Sequence, residues 1–303
     1  MRDRDARTSR ATILLTGARG QLGRELAAAL PVVGNVVACD RAMLDLADPT
    51  KIANVVRDVA PDVIVNAAAY TAVDRAESER DLAFAVNAHG AGVLADEAKR
   101  RGALLVHFST DYVFDGKRTT PYDESIPTNP GNVYGASKLE GERAIVASDA
   151  SALILRTSWV YGRHGNNFLV TMQKLASARS EVRVVADQTG VPNWARAIAR
   201  VISRVLGLGI DQLCDRSGLY HLSAQGATTW YEFAREILRR YPHVRVVPIT
   251  TADYPTPARR PAYAVLDSTR FSDTFGIALP DWKTLLHECL LSETEPPPAS
   301  PVH

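Results

Sequence analysis

The chain has 303 residues, 46% of them hydrophobic and 23% charged, with a formal net charge of +1. That length can bury a large core, as one big α/β unit or a large unit fused to a smaller one. The near-zero balance leaves no global field to attract nucleic acid or an anionic membrane, so any anionic ligand must be held by local groups. Cys39, Cys214 and Cys289 are far apart and form no CxxC pair, so neither a metal site nor a disulfide framework is expected. No apolar run reaches the roughly 18 residues that span a bilayer. The opening MRDRDARTSR lacks the apolar segment of a signal peptide. A cytoplasmic protein is expected, with residues 1–10 a disordered arm and 291–303 a disordered tail.

Short apolar runs alternate with helical stretches. ATILL (11–15) reads as a buried strand and 21–30 carries helical periodicity. VVACD (36–40) is the next strand, and Asp48-Pro49 is an N-cap followed by proline, opening a helix to about Val59. DVIVNAA (62–68) is a strand, and a helix begins at Ser78 or Glu79 and runs to Arg100. LLVHFS (104–109) and ALILRT (152–157) are strands on either side of a helix from about Tyr134 to Val146. Strands apolar on both faces, alternating with amphipathic helices, predict a doubly wound, Rossmann-type α/β fold that binds ligands at its strands' carboxyl ends.

After Tyr161 the pattern loosens. A helix is expected at 167–176, a strand at 182–185 and a helix at 194–206. Thr229 and Glu232 have the spacing of a capping box opening a helix to about Arg240. The division expected is a dinucleotide-binding domain over 11–162 and a smaller, partly interleaved substrate domain over 163–290. Some of the latter's segments should return to the sheet.

Three motifs carry chemistry. Gly17, Gly20 and Gly23 lie between the first strand and first helix, where glycine lets the backbone turn tightly and approach a pyrophosphate held on the helix N-terminus. The spacing is GxxGxxG rather than GxGxxG, and its place between strand and helix gives it meaning. Asp40 ends the second strand, where an acidic residue binds the adenine ribose. Arg41 beside it and Arg19 in the glycine loop suit a 2′-phosphate instead, so NADH and NADPH both stay open. Tyr134 and Lys138, four apart on a predicted helix, share one face. There a cation would lower the phenol's pKa and ready it to deliver a proton to a developing alkoxide. Ser109 and Thr110 end a strand at the sheet's carboxyl edge, where a hydroxyl can bond the substrate oxygen.

With these motifs in place, the chain resembles the extended short-chain dehydrogenase/reductases, and among them the dTDP-4-dehydrorhamnose reductase group. TGARGQLG, PDVIVNAAAYTAVDRAE, STDYVFDG, NVYGASKLEGE, LRTSWVYG, GNNF, DQTGVPN and YPTPARRP carry the resemblance over roughly residues 12–285. It implies Tyr134 as proton donor, Lys138 as the residue binding the nicotinamide ribose, and Thr110 beside the sugar 4-oxygen. Gly20, Gln21, Leu22, Asp40, Asp45, Leu46, Ala69, Tyr70 and Thr71 would line the cofactor, and Asp111 and Trp159 the dTDP-4-dehydro-6-deoxy-sugar. Arg260 is expected on the nucleotide diphosphate, since a guanidinium fork suits phosphate oxygens; Arg259 competes for that role. Some relatives form a metal-bridged homodimer through carboxylates, but Arg196 stands where a glutamate would serve.

Two rivals share this fold. A 4,6-dehydratase needs a carboxylate base after the threonine-aspartate pair, where this chain has Tyr112. A non-catalytic regulatory subunit would not require Thr110, Tyr134 and Lys138 together.

Overall fold

Five of the expected strands lie side by side, as their apolar sequences require. In this computed structural model, which describes residues 10–292, they are β1 (Thr12–Thr16), β2 (Asn35–Cys39), β3 (Val63–Asn66), β4 (Leu104–Thr110) and β5 (Ala152–Thr157). The connecting helices are α1 (Gln21–Ala29), α2 (Pro49–Val59), α3 (Val73–Ala76), α4 (Arg80–Phe84), α5 (Gly90–Arg101) and α6 (Val133–Ser148). The second half adds β6 (Val160–Tyr161), α7 (Phe168–Ala178), β7 (Glu181–Val185), β8 (Thr189–Gly190), β9 (Asn193–Trp194), α8 (Ala195–Leu206) and α9 (Ile210–Cys214). It closes with β10 (Gly218–His221), β11 (Thr228–Thr229), α10 (Trp230–Leu238), β12 (Arg245–Ile249), α11 (Thr269–Phe275) and α12 (Trp282–Leu291).

The main sheet has six parallel strands in the order β10-β5-β4-β3-β1-β2. Successive side chains point to opposite faces of a strand, and the core divides accordingly. Ile13, Leu15, Val65, Val106 and Leu155 pack with α1 and α8, while Leu14, Ile64, Leu105 and Ile154 pack with α2, α5 and α6. The chain leaves β1 for β2 on one side and returns to β3 on the other, so a crevice opens above β1 and β3.

Local signals account for the helix ends. Asp48 caps α2 by accepting the Lys51 N–H at 3.0 Å, with Pro49 at the first helical position. Asn132 caps α6 by accepting from Gly135 N at 2.8 Å.

Four expectations need correction. The single helix expected from 78 to 100 is α4 and α5 joined by a π-helical turn at Ala85–His89, and α3 precedes it. β10 was not foreseen, nor was β12, which pairs in parallel with β7. Thr229 accepts the Glu232 N–H at 3.1 Å, but Glu232 pairs with Arg235 instead of returning the bond, so only half of the capping box forms. The predicted disordered ends lie outside the described residues except for three positions. Arg10 bonds the Pro31 carbonyl at 2.5 Å, and Leu291 and Ser292 finish the last helix.

Candidate active site

The turn from β1 into α1 requires glycine at its first position. Gly17 has φ +68°, and a Cβ there would sit 2.7 Å from the Ala68 nitrogen. Gly20 is the N-cap of α1 and offers no side chain to its first N–H groups. They stay available to an anion. Gly23 does not line the cleft; it is buried, and a Cβ would collide with the Gly17 carbonyl oxygen. Its role is to seat α1 against the loop.

Above this turn lies a cleft of about 720 Å³, within the size range of small-molecule sites. Gly17, Arg19, Gly20, Gln21 and Leu22 line one wall, with Asp40, Arg41, Asp45 and Leu46 beyond the end of β2. Ala69, Tyr70 and Thr71 follow β3 into the same cleft, which continues to Thr110, Asp111, Tyr134, Lys138 and Trp159. The structure therefore brings together every expected cofactor and catalytic residue except Gly23.

Around the end of β2, Arg19 and Asp40 are ion-paired at 2.9 Å, and Arg41 and Asp45 at 3.1 Å. The Ala47 N–H and Arg41 hold the Asp45 carboxyl below its usual range. Asn87, in the π-helical turn, accepts from Tyr70 N at 2.8 Å and donates to Tyr70 O at 3.0 Å and Ser137 Oγ at 3.0 Å. It thereby ties the loop after β3 to α6, and nothing in its sequence surroundings marked it.

Tyr134 and Lys138 share a face of α6, but the electrostatics differ from the expected pairing. Burial pushes the Tyr134 phenol up to about 12, and a hydrogen bond with Thr110 only partly offsets it. The Lys138 Nζ donates to the Phe108 carbonyl at 2.6 Å and lies 3.1 Å from His107 Nε2. Burial brings it down to about 8. Desolvation dominates here, and Tyr134 is held as a neutral phenol, the form that donates a proton.

Asp111 is 2% exposed and accepts from the Thr110 hydroxyl at 3.0 Å, while its Oδ2 has no hydrogen-bond partner. Burial raises its carboxyl to about 7. A buried orphan oxygen in a cleft is an acceptor awaiting a donor. Thr157 Oγ1 and Gln21 Oε1 are two more in the same cleft.

Trp159 has φ +41°, rare for a bulky residue. Its indole stacks on Trp230 with centroids 3.5 Å apart. Trp230 also lines the cleft and was missed, because it reads as an ordinary residue of a capped helix. Arg260 is not among the lining residues: its guanidinium is 2.7 Å from Asp74. Arg259 lines a small separate cavity beside Tyr112 and Asn132. Neither arginine is among the residues lining the main cleft.

Among the described residues no group of three or more His, Cys, Asp or Glu could hold a metal, and no helix is long and apolar enough to cross a membrane.

Residues 11–294 match the family model described as the RmlD substrate binding domain. A dTDP-4-dehydrorhamnose reductase of Burkholderia thailandensis is 47% identical, over 92% of this chain and 97% of that relative. One from Escherichia coli K12 is 42% identical, over 89% of this chain and 94% of that relative. Among solved structures, the Bacillus anthracis dTDP-4-dehydrorhamnose reductase in complex with NADP superposes with a TM-score of 0.87. It is 37% identical and covers 93% of this chain and 99% of its own.

Proposed function

The chain belongs to the family of the RmlD substrate binding domain, and from that membership we propose that it reduces the C4 ketone of dTDP-4-dehydro-β-L-rhamnose to dTDP-L-rhamnose with NADPH or NADH. The observation that carries this reading is one continuous cleft joining the glycine turn at its cofactor end to Thr110, Asp111 and Tyr134 at the other. The glycine turn fits a dinucleotide: Gly17 turns at positive φ tight against the Ala67 and Ala68 backbone, and the uncapped start of α1 faces the cleft. Gly20, Gln21 and Leu22 would hold the pyrophosphate region, Asp40, Arg19 and Arg41 the adenine ribose, and Lys138 the nicotinamide ribose.

When bound, the reduced nicotinamide supplies a hydride. The chain's own residues supply the rest. Tyr134, kept neutral by burial, donates its proton to the C4 oxygen. Thr110, placed at the last position of β4, turns its single hydroxyl proton from Asp111 to the same oxygen as charge develops on it. Asp111 accepts from a sugar hydroxyl through its orphan oxygen, and the Trp159 indole covers the sugar. The 163–290 segment, which supplies Trp230, forms most of the substrate-binding domain.

Tyr112 supports reductase over dehydratase. Burial and the neighbouring Asp111 push its phenol well above the usual value, so it cannot serve as the base that elimination needs. A cytoplasmic location, where nucleotide sugars and reduced nicotinamide meet, belongs to the proposal. So does a homodimer; Arg196, which stands where a glutamate would serve a bridging metal, is paired with Glu25 at 2.9 Å. The test is product analysis by NMR after incubation of dTDP-4-dehydrorhamnose with NADPH. The rhamnose configuration supports the reading, and a 6-deoxytalose product replaces it with the C4 epimer.

A further inference from the structure

Behind Lys138 lies a chain of buried polar groups that the proposed reaction does not use. Parallel register sets Thr16 beside Asn66 and Asn66 beside His107 on three adjacent strands. Thr16 Oγ1 is 2.6 Å from Asn66 Oδ1, Asn66 Nδ2 is 3.0 Å from His107 Nδ1, and His107 Nε2 is 3.1 Å from Lys138 Nζ. All four residues are 2% exposed or less.

The direction of these bonds can be read from the end that cannot reverse. The Ala68 backbone N–H only donates, and it lies 3.2 Å from Asn66 Oδ1. The 2.6 Å contact with Thr16 suits an O–H donor to the same oxygen. Oδ1 is thus the acceptor, and the Asn66 amide nitrogen must donate to His107 Nδ1. A neutral imidazole carries one proton, and burial, the largest cause, holds His107 neutral by keeping its pKa well below the ordinary value. That proton is therefore on Nε2, facing the lysine nitrogen. An ammonium has three donors and no lone pair, so it cannot accept this bond; an amine can, while still donating to the Phe108 carbonyl.

We propose that His107 is a positioning residue whose Nε2–H, oriented by Asn66 and Thr16, bonds the lone pair of Lys138 and so lowers the lysine's affinity for a proton. The inference deepens the reading of Lys138 given above, but its first test does not depend on turnover. Other charged or titratable groups face the lysine. Glu142 on the same helix pulls the opposite way. It is itself held by Arg156 from β5 and Ser109 from β4. Tyr134 and Asp111 lie on the cleft side.

The deciding measurement is nitrogen-15 NMR of the histidine rings in the intact wild-type protein at about pH 9, above the lysine's titration. His221 is an internal reference: its Nδ1 is 2.9 Å from the Tyr122 carbonyl, which can only accept, so it should be an Nδ1–H ring. His107, identified by its loss in His107→Phe, should be an Nε2–H ring; an Nδ1–H ring there overturns the proposal. The same variant gives a second readout if it folds. Removing a donor to the amine should move the alkaline limb of the kcat profile up by about one pH unit. A limb that stays put or moves down means that His107 does not lower the lysine's proton affinity. If the variant fails to fold, the wild-type spectrum still decides: rings that do not titrate between about pH 5 and 8 must include an Nε2–H tautomer, and a set containing only Nδ1–H rings contradicts the proposal.

Discussion

The ring of Tyr112 packs edge-on against that of Tyr134, with centroids 5.5 Å apart and planes at 76°. The residue that would have to be a carboxylate in an eliminating enzyme is thus an aromatic wall beside the proposed proton donor. That wall excludes water and contributes to the desolvation that keeps the Tyr134 phenol protonated.

Tyr134→Phe keeps this ring contact and removes one oxygen. Turnover is expected to fall by about 10²–10⁴, the usual worth of a positioned acid, while stability changes by only about 1 kcal/mol for the lost hydrogen bond. Steady-state kinetics alongside urea denaturation check both. A folded Tyr134→Phe variant with wild-type turnover rules the phenol out as donor.

At the end proposed for the ribose, each arginine already has a carboxylate partner, Arg19 with Asp40 and Arg41 with Asp45. A 2′-phosphate would draw a guanidinium from its carboxylate, whereas ribose hydroxyls would bond Asp40. Arg41→Ala should therefore raise the KM for NADPH and leave that for NADH nearly unchanged. Equal changes for both cofactors would show Arg41 to be a surface charge only.

Asp111 gives a pH-dependent prediction. Its folded-state carboxyl titrates at about 7 against a reference of 3.8, so the folded protein holds a proton that the unfolded chain has lost between those values. The stability this proton supports is present below the lower value and is lost as pH rises through the upper one. Asp111→Asn should leave stability unchanged at low pH and raise it at pH 8, by on the order of 2–4 kcal/mol. The same variant should bind the sugar nucleotide less tightly. Denaturation at both pH values checks the sign; equal effects at both would mean that Asp111 is not a strained carboxyl.

Arg156 and Glu142 form a bidentate ion pair, with contacts of 2.6 and 2.9 Å, on side chains that are almost wholly buried. Removing one partner leaves an uncompensated buried charge. Arg156→Met is therefore expected to cost about 3–5 kcal/mol, and adding Glu142→Met should recover much of it. Chemical denaturation of the single and double variants tests this, and additive losses would contradict it.

The doubly wound sheet was legible because each of its first five strands is apolar on both faces, and the glycine turn was legible because a positive φ leaves few alternatives to glycine. Other features were not. GLYH at β10 is four residues long and joins the sheet only through tertiary pairing with β5. The π-helical turn that places Asn87 has no sequence signature of its own. His107 is one polar residue in a buried apolar run, and its partners come from the register of two other strands. Arg260's charge is visible in sequence, but its pairing with Asp74, 186 positions away, is not.

The central claim is that the cleft reduces a preformed 4-keto sugar and does not make one. The most direct measurement follows nicotinamide absorbance with dTDP-4-dehydrorhamnose and with dTDP-glucose in separate reactions. The account predicts reduced cofactor consumed one for one with product in the first, and no 4-keto product from the second, with or without added NAD. Formation of a 4-keto sugar from dTDP-glucose would contradict it, and with it the part assigned to Tyr112.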